Sequence, residues 1–461
     1  MSKLALLPAT EQARLVRSRD VSAAELLAAC QEQMSEHNGT LNAVVTVNER
    51  AADEADAVDR ALARGEDPGA LAGLVVGIKD VTETAGIRTT YGSTLYADYV
   101  PEKDAEIVSR FRAAGAVILG KTNTPEFAAG GNTWNEVFGR TRNPWNTERS
   151  AGGSTGGGAA GLATGMLSLA QGTDLGGSLR IPASFCGVTG LRPSPGLIPT
   201  SPSWYLWDTL QVTGVMGRTA GDVGLALQAL AGPSKEFPIA QPVAGREFAA
   251  AAARQWPGGE QGLAYCPDIA GIGIDPDVGR VCQEGSCAVA CEEIQLDLSY
   301  GREAFLALRG LWFLAHLHDG LDRLDEYGVN VANNIRAGLE VTAPQLSDAE
   351  RARRRMREEL SALFETYAAL LTPCMAVPPF PVDQNYPETI GGQPMKTYID
   401  WVAPTFVLGL AGLPVASVPC GLDASGLPVG MQIVGPPQGE ELVLSIAARL
   451  QAERPIGLPT L

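Results

Sequence analysis

The sequence predicts an α/β fold, a sheet covered on both sides by helices, and three observations carry that prediction. The run Leu74-Val75-Val76-Gly77-Ile78 is apolar throughout, as in a strand buried on both faces. Ile107, Val108 and Phe111 follow at helical spacing. A second short apolar run comes next, at residues 117–119. Strand, helix and strand in that order indicate a sheet packed between helices.

The elements can be taken in chain order. Residues 10–65 read as helical, and Ser22-Ala23-Ala24-Glu25 spells a capping box before Leu26, Leu27 and Ala28. The strand at 74–78 leads to a helix over 104–114, with Gly115 as its stop. The strand at 117–119 is followed by a glycine-rich segment and a helix over 156–165. Pro238, Pro242, Gly258 and Gly259 then break the pattern, so residues 233–345 are expected as a variable peripheral region. Residues 345–370 are charged and helical, with 351–355 as a solvated face. Strands at 413–419 and 429–434 and a helix at 440–450 complete the chain. No repeat and no clear linker interrupts it. A single interleaved domain over 1–461 is expected, with a helical layer at 1–65 and a catalytic core at 66–232.

Composition excludes several classes. With 45% hydrophobic residues the chain is globular. A formal net charge of −17, from 35 basic and 52 acidic residues, argues against nucleic acid or an anionic membrane surface as partner. No apolar run approaches the ~20 residues of a membrane span. The amino terminus lacks the pattern of a secretory signal. The eight cysteines form no framework and are expected as reduced thiols in a cytoplasmic protein.

Three motifs mislead. Gly115 to Thr122 fits the phosphate-loop spelling GxxxxGKS/T, but its middle residues, Ala116-Val117-Ile118-Leu119, read as strand. Gly152-Gly153-Ser154-Thr155-Gly156 fits the nucleophile elbow GxSxG, yet no buried strand precedes it. A Ser-His-Asp site also needs a histidine, and the chain has three. His37 ends a polar helix, and His316 and His318 are two apart on a helical stretch, so they face different ways. Cys282, Cys287 and Cys291 lack the paired spacing of a metal site. No metal and no organic cofactor is expected.

What remains is two glycine-flanked serines, Ser154 and Ser178, and Lys79 at the end of an apolar strand. Glycines allow close approach to a serine hydroxyl and let neighbouring N–H groups converge on one point. Lysine can replace histidine as base when burial lowers its pKa.

The sequence resembles the amidase signature family over most of its length. The resemblance rests on Gly77-Ile78-Lys79-Asp80, on Gly120-Lys121-Thr122-Asn123-Thr124-Pro125-Glu126-Phe127 and on Arg142-Asn143-Pro144-Trp145. It continues through Gly152-Gly153-Ser154-Thr155-Gly156-Gly157 and Asp174-Leu175-Gly176-Gly177-Ser178-Leu179-Arg180-Ile181-Pro182. Gly412-Leu413-Pro414 and Gly426-Leu427-Pro428-Val429-Gly430-Met431-Gln432 also fit. The resemblance implies a large mixed central sheet covered by helices, a cis Gly153–Ser154 peptide and a Ser–cis-Ser–Lys triad. Ser178 would be the nucleophile, Ser154 the bridge and Lys79 the base. The oxyanion hole would be the backbone N–H groups of Leu175, Gly176, Gly177 and Ser178. Many members have threonine where Leu175 stands. Asp174 and Arg180 are expected to brace this loop.

The family alignment also places Ala128, Ala129, Gly130 and Gly131 on the acyl side of the pocket. Ser203-Trp204-Tyr205-Leu206-Trp207 either packs a loop or puts Trp204, Tyr205 and Trp207 at the pocket, which would favour aryl or apolar substrates. The expectation is a monomeric or homodimeric hydrolase of linear amides, with carbamates (urethanes) as further substrates and water as acyl acceptor. The alternative is a glutaminase-type subunit of a tRNA amidotransferase. Against it, Gly120 to Phe127 departs from that branch's usual wording.

Overall fold

The computed structural model describes residues 2–461. At its centre lies a mixed sheet of eleven strands. In chain order these are β1 (Val44–Val47), β2 (Val75–Lys79), β3 (Val117–Thr122), β4 (Leu169–Asp174), β5 (Thr189–Arg192) and β6 (Val212–Gly217). They continue with β7 (Gly262–Tyr265), β8 (Cys291–Glu293), β9 (Tyr367–Pro373), β10 (Val415–Leu422) and β11 (Pro428–Val434). The order across the sheet is β1-β3-β2-β4-β6-β5-β10-β11-β9-β7-β8. β2 is parallel to β3 and β4, whereas β6 and β10 are antiparallel to both of their neighbours.

Side chains alternate between two cores, as the period of a strand requires. Leu263 and Tyr265 of β7 join one core, with Val278 and Val281 from the helix Pro276–Ala288 and Leu444 and Ala447 from the helix Glu440–Glu453. Ala264 joins the other, with Phe305, Met356 and Phe406 from helices Gly301–His316, Ala343–Thr366 and Ala403–Leu410. The fold is therefore α/β, a mixed sheet covered on both sides by helices.

Most expected elements form within a few residues of their predicted bounds. The Ser22–Glu25 capping box closes as read, with Ser22 Oγ accepting from Glu25 N at 3.0 Å and Glu25 Oε2 accepting from Ser22 N at 2.8 Å. Two expectations need correction. Residues 10–65 are not helical throughout, because Val44-Val45-Thr46-Val47 forms β1 and pairs antiparallel with β3. Three of those four residues are valine, stiff at χ1 and suited to a pleated surface. Residues 233–345 are not only peripheral: they supply β7 and β8 at the sheet edge and the helix Gly301–His316 beneath the pocket.

The topology places the site. Ile78 of β2 pairs with Gln171 of the parallel β4, so Lys79 and Thr173 end up at neighbouring strand ends. From β2 the chain goes to β3 on one side, while β4 lies on the other. Crevices at the carboxyl ends of parallel strands, where connections diverge, are where open α/β sheets bind ligands. Among the described residues, no helix is long and apolar enough to cross a membrane.

Candidate active site

Lys79 is the last residue of β2 and is fully buried. Its Nζ lies 2.6 Å from Ser154 Oγ and 3.0 Å from Thr173 Oγ1. Burial lowers its pKa to about 7, and the Asp174 carboxylate opposes that shift. A neutral amine with a lone pair is therefore available near pH 7, already hydrogen-bonded to a serine hydroxyl. Ser154 is also fully buried and follows a cis peptide from Gly153. A Cβ at Gly153 would sit 2.8 Å from Gly130 O and 2.9 Å from Gly131 C, so only glycine lets these two segments pack so closely.

The loop after β4 is organised around Asp174. Its Oδ1 accepts from Gly177 N at 2.9 Å and from Arg180 Nη2 at 2.9 Å; its Oδ2 accepts from Leu179 N at 3.2 Å and Arg180 Nε at 3.0 Å. Arg192 pairs with it at 3.3 Å. Burial alone would raise this carboxyl, but the two guanidinium groups and the Leu179 N–H outweigh burial and hold it well below the usual range. Gly177 has φ +119°, and a Cβ there would collide with Thr405, so the loop depends on glycine at this turn. Thr155 N donates to Ser178 O at 3.2 Å, tying the two serine segments together.

Ser178, half-buried, opens onto a narrow chamber of about 50 Å³. Its wall includes Ala128, Gly130, Gly131, Thr173, Leu175, Gly176 and Ile181, closed by Phe305, Arg309, Trp312, Phe313 and Tyr398. A second cavity of about 590 Å³ shares Phe127, Ala128, Thr173, Gln211 and Trp312 with the chamber. Its outer wall is aromatic, with Tyr91, Tyr96, Tyr99 and Trp204. Lys79 and Ser154 border neither space. A molecule in the chamber thus meets Ser178 first, with Ser154 and Lys79 sealed behind it.

The Amidase family model matches residues 25–294 and 324–444, well over half of the chain. The chain belongs to the amidase signature family. Members are hydrolases of carbon–nitrogen bonds. An acylamidase of Rhodococcus erythropolis is 33% identical over 97% of this chain and 96% of its own length. A glutamyl-tRNA(Gln) amidotransferase subunit of Moorella thermoacetica is 33% identical over 91% of each chain. A solved bacterial aryl acylamidase superposes with a TM-score of 0.90 at 25% identity, covering 98% of this chain and 96% of that one.

Within this amidase fold, several expected positions fall elsewhere. Gly177 does not face the chamber, because its N–H is taken by Asp174; Leu175, Gly176 and Ser178 do face it. Ala129 turns away into a small core with Trp312 and Val331. Trp204 reaches the outer cavity, although it is 79% exposed. Trp207 is 66% exposed and Tyr205 packs against the small core, so neither lines a cavity. His316 stacks on Trp312 with centroids 3.9 Å apart and borders only the outer cavity, so among the described residues no histidine meets Ser178. Lys121, from the phosphate-loop spelling, lies in β3 and donates to Thr84 Oγ1 at 3.1 Å and Thr89 Oγ1 at 2.8 Å. Thr173, Arg309, Trp312 and Tyr398 were not found from sequence. Thr173 sits one residue before the quoted Asp174 motif and could have been reached from it; the others arrive from distant helices and loops.

Proposed function

We propose that this amidase hydrolyses linear amides with an aryl or apolar amine portion, and aryl carbamates, through Ser178, Ser154 and Lys79. The hydrogen bond from a sealed, near-neutral Lys79 to Ser154 carries the reading. Ser178 Oγ attacks the carbonyl while its proton passes through Ser154 to Lys79. The N–H groups of Gly176 and Ser178, with Leu175, receive the oxyanion, typically a contribution of several kcal/mol. The proton returns to the leaving amine. Water then enters and the same relay hydrolyses the acyl-enzyme. The aromatic outer cavity supports an aryl amine portion.

A second reading, a glutaminase-type subunit, draws on the 33% identity to the Moorella amidotransferase chain. Glutamine carries an ammonium group, which calls for a carboxylate in the wall. Among the described residues, neither Asp nor Glu lines the chamber, which favours the stand-alone amidase.

The test is a panel of p-nitroanilides, primary amides, glutamine and aryl carbamates. Anilides and carbamates are expected to be cleaved fastest; selective glutamine turnover would overturn the assignment. On the best substrate, pH adds a second check. Below pH 7 Lys79 holds its proton and cannot accept another. The value of kcat/KM is therefore expected to fall about tenfold per pH unit below 7 and to level off above it. A profile flat from pH 5.5 to 9 would exclude Lys79 as the base.

A further inference from the structure

We propose that Arg309 and Tyr398 form a carboxylate clamp in the chamber, so that the preferred acyl group ends in a carboxylate: the substrate is a monoamide of a dicarboxylic acid. This rests on the reading of Ser178 as nucleophile.

Arg309 projects from the helix Gly301–His316 and is 7% exposed. Among the described residues it is the single charged side chain in the chamber wall. A buried cation without an anion is costly, and buried charges are normally paired. Arg180 and Arg192, two deeply buried guanidinium groups that meet at Asp174, follow that rule. Arg309 departs from it. Its hydrogen bonds go to the Asn334 amide oxygen and the Tyr398 hydroxyl, and among the described residues no carboxylate pairs with it. The rings of Phe313 and Tyr398 lie 5.0 and 5.1 Å from its guanidinium carbon. They hold the cation without neutralising it.

The hydrogen-bond inventory shows what is left over. Asn334 Nδ2 donates to Asn330 O at 2.7 Å and to Tyr398 OH at 2.6 Å, which fixes Oδ1 towards Arg309. The Tyr398 oxygen therefore accepts from both Arg309 and Asn334. A phenol oxygen has two acceptor positions, so its own proton must be donated elsewhere. Arg309 retains N–H groups beyond the two that are engaged. Both side chains wall the chamber, so what they offer it is a cation and donors. Planar N–H pairs beside an O–H match a carboxylate. Asn334 comes from the helix Val329–Leu339 and Tyr398 from the segment before Trp401, so the clamp is fixed from three directions before any ligand arrives. With no acid among the described wall residues, an acyl group carrying an ammonium as well is disfavoured. The small volume restricts the acyl chain to a short one.

The experiment compares succinyl and glutaryl mono-p-nitroanilides with butyryl and valeryl p-nitroanilides. The wild type is expected to favour the carboxylates by at least about tenfold in kcat/KM, mainly through KM. In Arg309→Met that ratio is expected to fall about 100-fold, the worth of a charge-assisted pair. Tyr398→Phe should lower it by a smaller factor, and Arg309→Lys should restore part of it. A ratio unchanged by Arg309→Met, or a wild type that favours the neutral anilides, overturns the clamp. Should Arg309→Met fail to fold, calorimetry on the wild type decides instead. Glutarate is expected to bind and glutaramide to bind at least about tenfold more weakly; equal binding overturns the proposal. Neutral anilides cleaved with no carboxylate preference would sink the clamp alone. Glutarate binding without cleavage of any anilide would sink the hydrolase reading alone.

Discussion

Ser178→Ala is expected to lower kcat/KM for an anilide by ~10,000-fold or more while the protein keeps its fold. Losses of that size are typical when the attacking atom is deleted, because base and oxyanion donors then have nothing to act on. The fold should survive because Ser178 Oγ holds no hydrogen bond among the described residues and faces the chamber. Ser154 differs: it is fully buried and holds Lys79 Nζ at 2.6 Å. Removing its hydroxyl leaves the amine with Thr173 alone. Mass spectrometry of wild type stopped with a slow carbamate is expected to find the acyl group on Ser178. Acylation of Ser154, or Ser178→Ala with more than about 1% of wild-type activity, would reverse the two roles.

Asp174→Asn carries the second large effect, on stability and activity together. Asp174 is fully buried and pairs with both Arg180 and Arg192. The amide keeps the shape but leaves two guanidinium groups without their anion. Breaking a buried pair by removing one partner costs about 3–5 kcal/mol. A chain of this length unfolds with a large entropy, so that loss moves the thermal midpoint by only roughly 3–5 °C. Activity is expected to fall further than this shift suggests. The same carboxylate orients the N–H groups of Gly177 and Leu179 on either side of Ser178. A variant with wild-type kcat would show that the nucleophile loop holds its shape without the hub. The pH direction agrees. A carboxyl held below its unfolded pKa stabilises the fold above that pKa, and the contribution is lost as pH falls through the lowered value.

How far the sequence could be read depended on how local the information was. β2 and β3 are runs of buried residues, and their alternation with the helix between them implied the sheet. The glycines around Ser154 and Ser178 marked backbone that must pack closely, which the Gly153 and Gly177 contacts bear out. β1 was missed because four residues between two helices carry too little pattern. The far side of the chamber wall was missed for another reason. Phe305, Arg309 and Trp312 sit on one apolar helix more than a hundred residues beyond Ser178, and helical spacing reveals a buried face without saying what it faces. The expectation for Gly177 failed on a single hydrogen bond: the motif gives four candidate donors, but only the path of the Asp174 side chain decides which are spent.

The strand order has a consequence for how the protein is made. β5 lies between β6 and β10, so its second edge is filled by residues 415–422. Arg180, two residues past Ser178, donates to Thr405 O at 2.7 Å and Gln432 Oε1 at 2.8 Å. On the ribosome, Lys79, Ser154 and Ser178 emerge more than two hundred residues before these supports. Until then β5 is an open edge that other chains could pair with, and the loop that carries Ser178 lacks its far anchors. The growing chain holds Lys79, Ser154 and Ser178 long before residues 405–432 arrive to fix their arrangement.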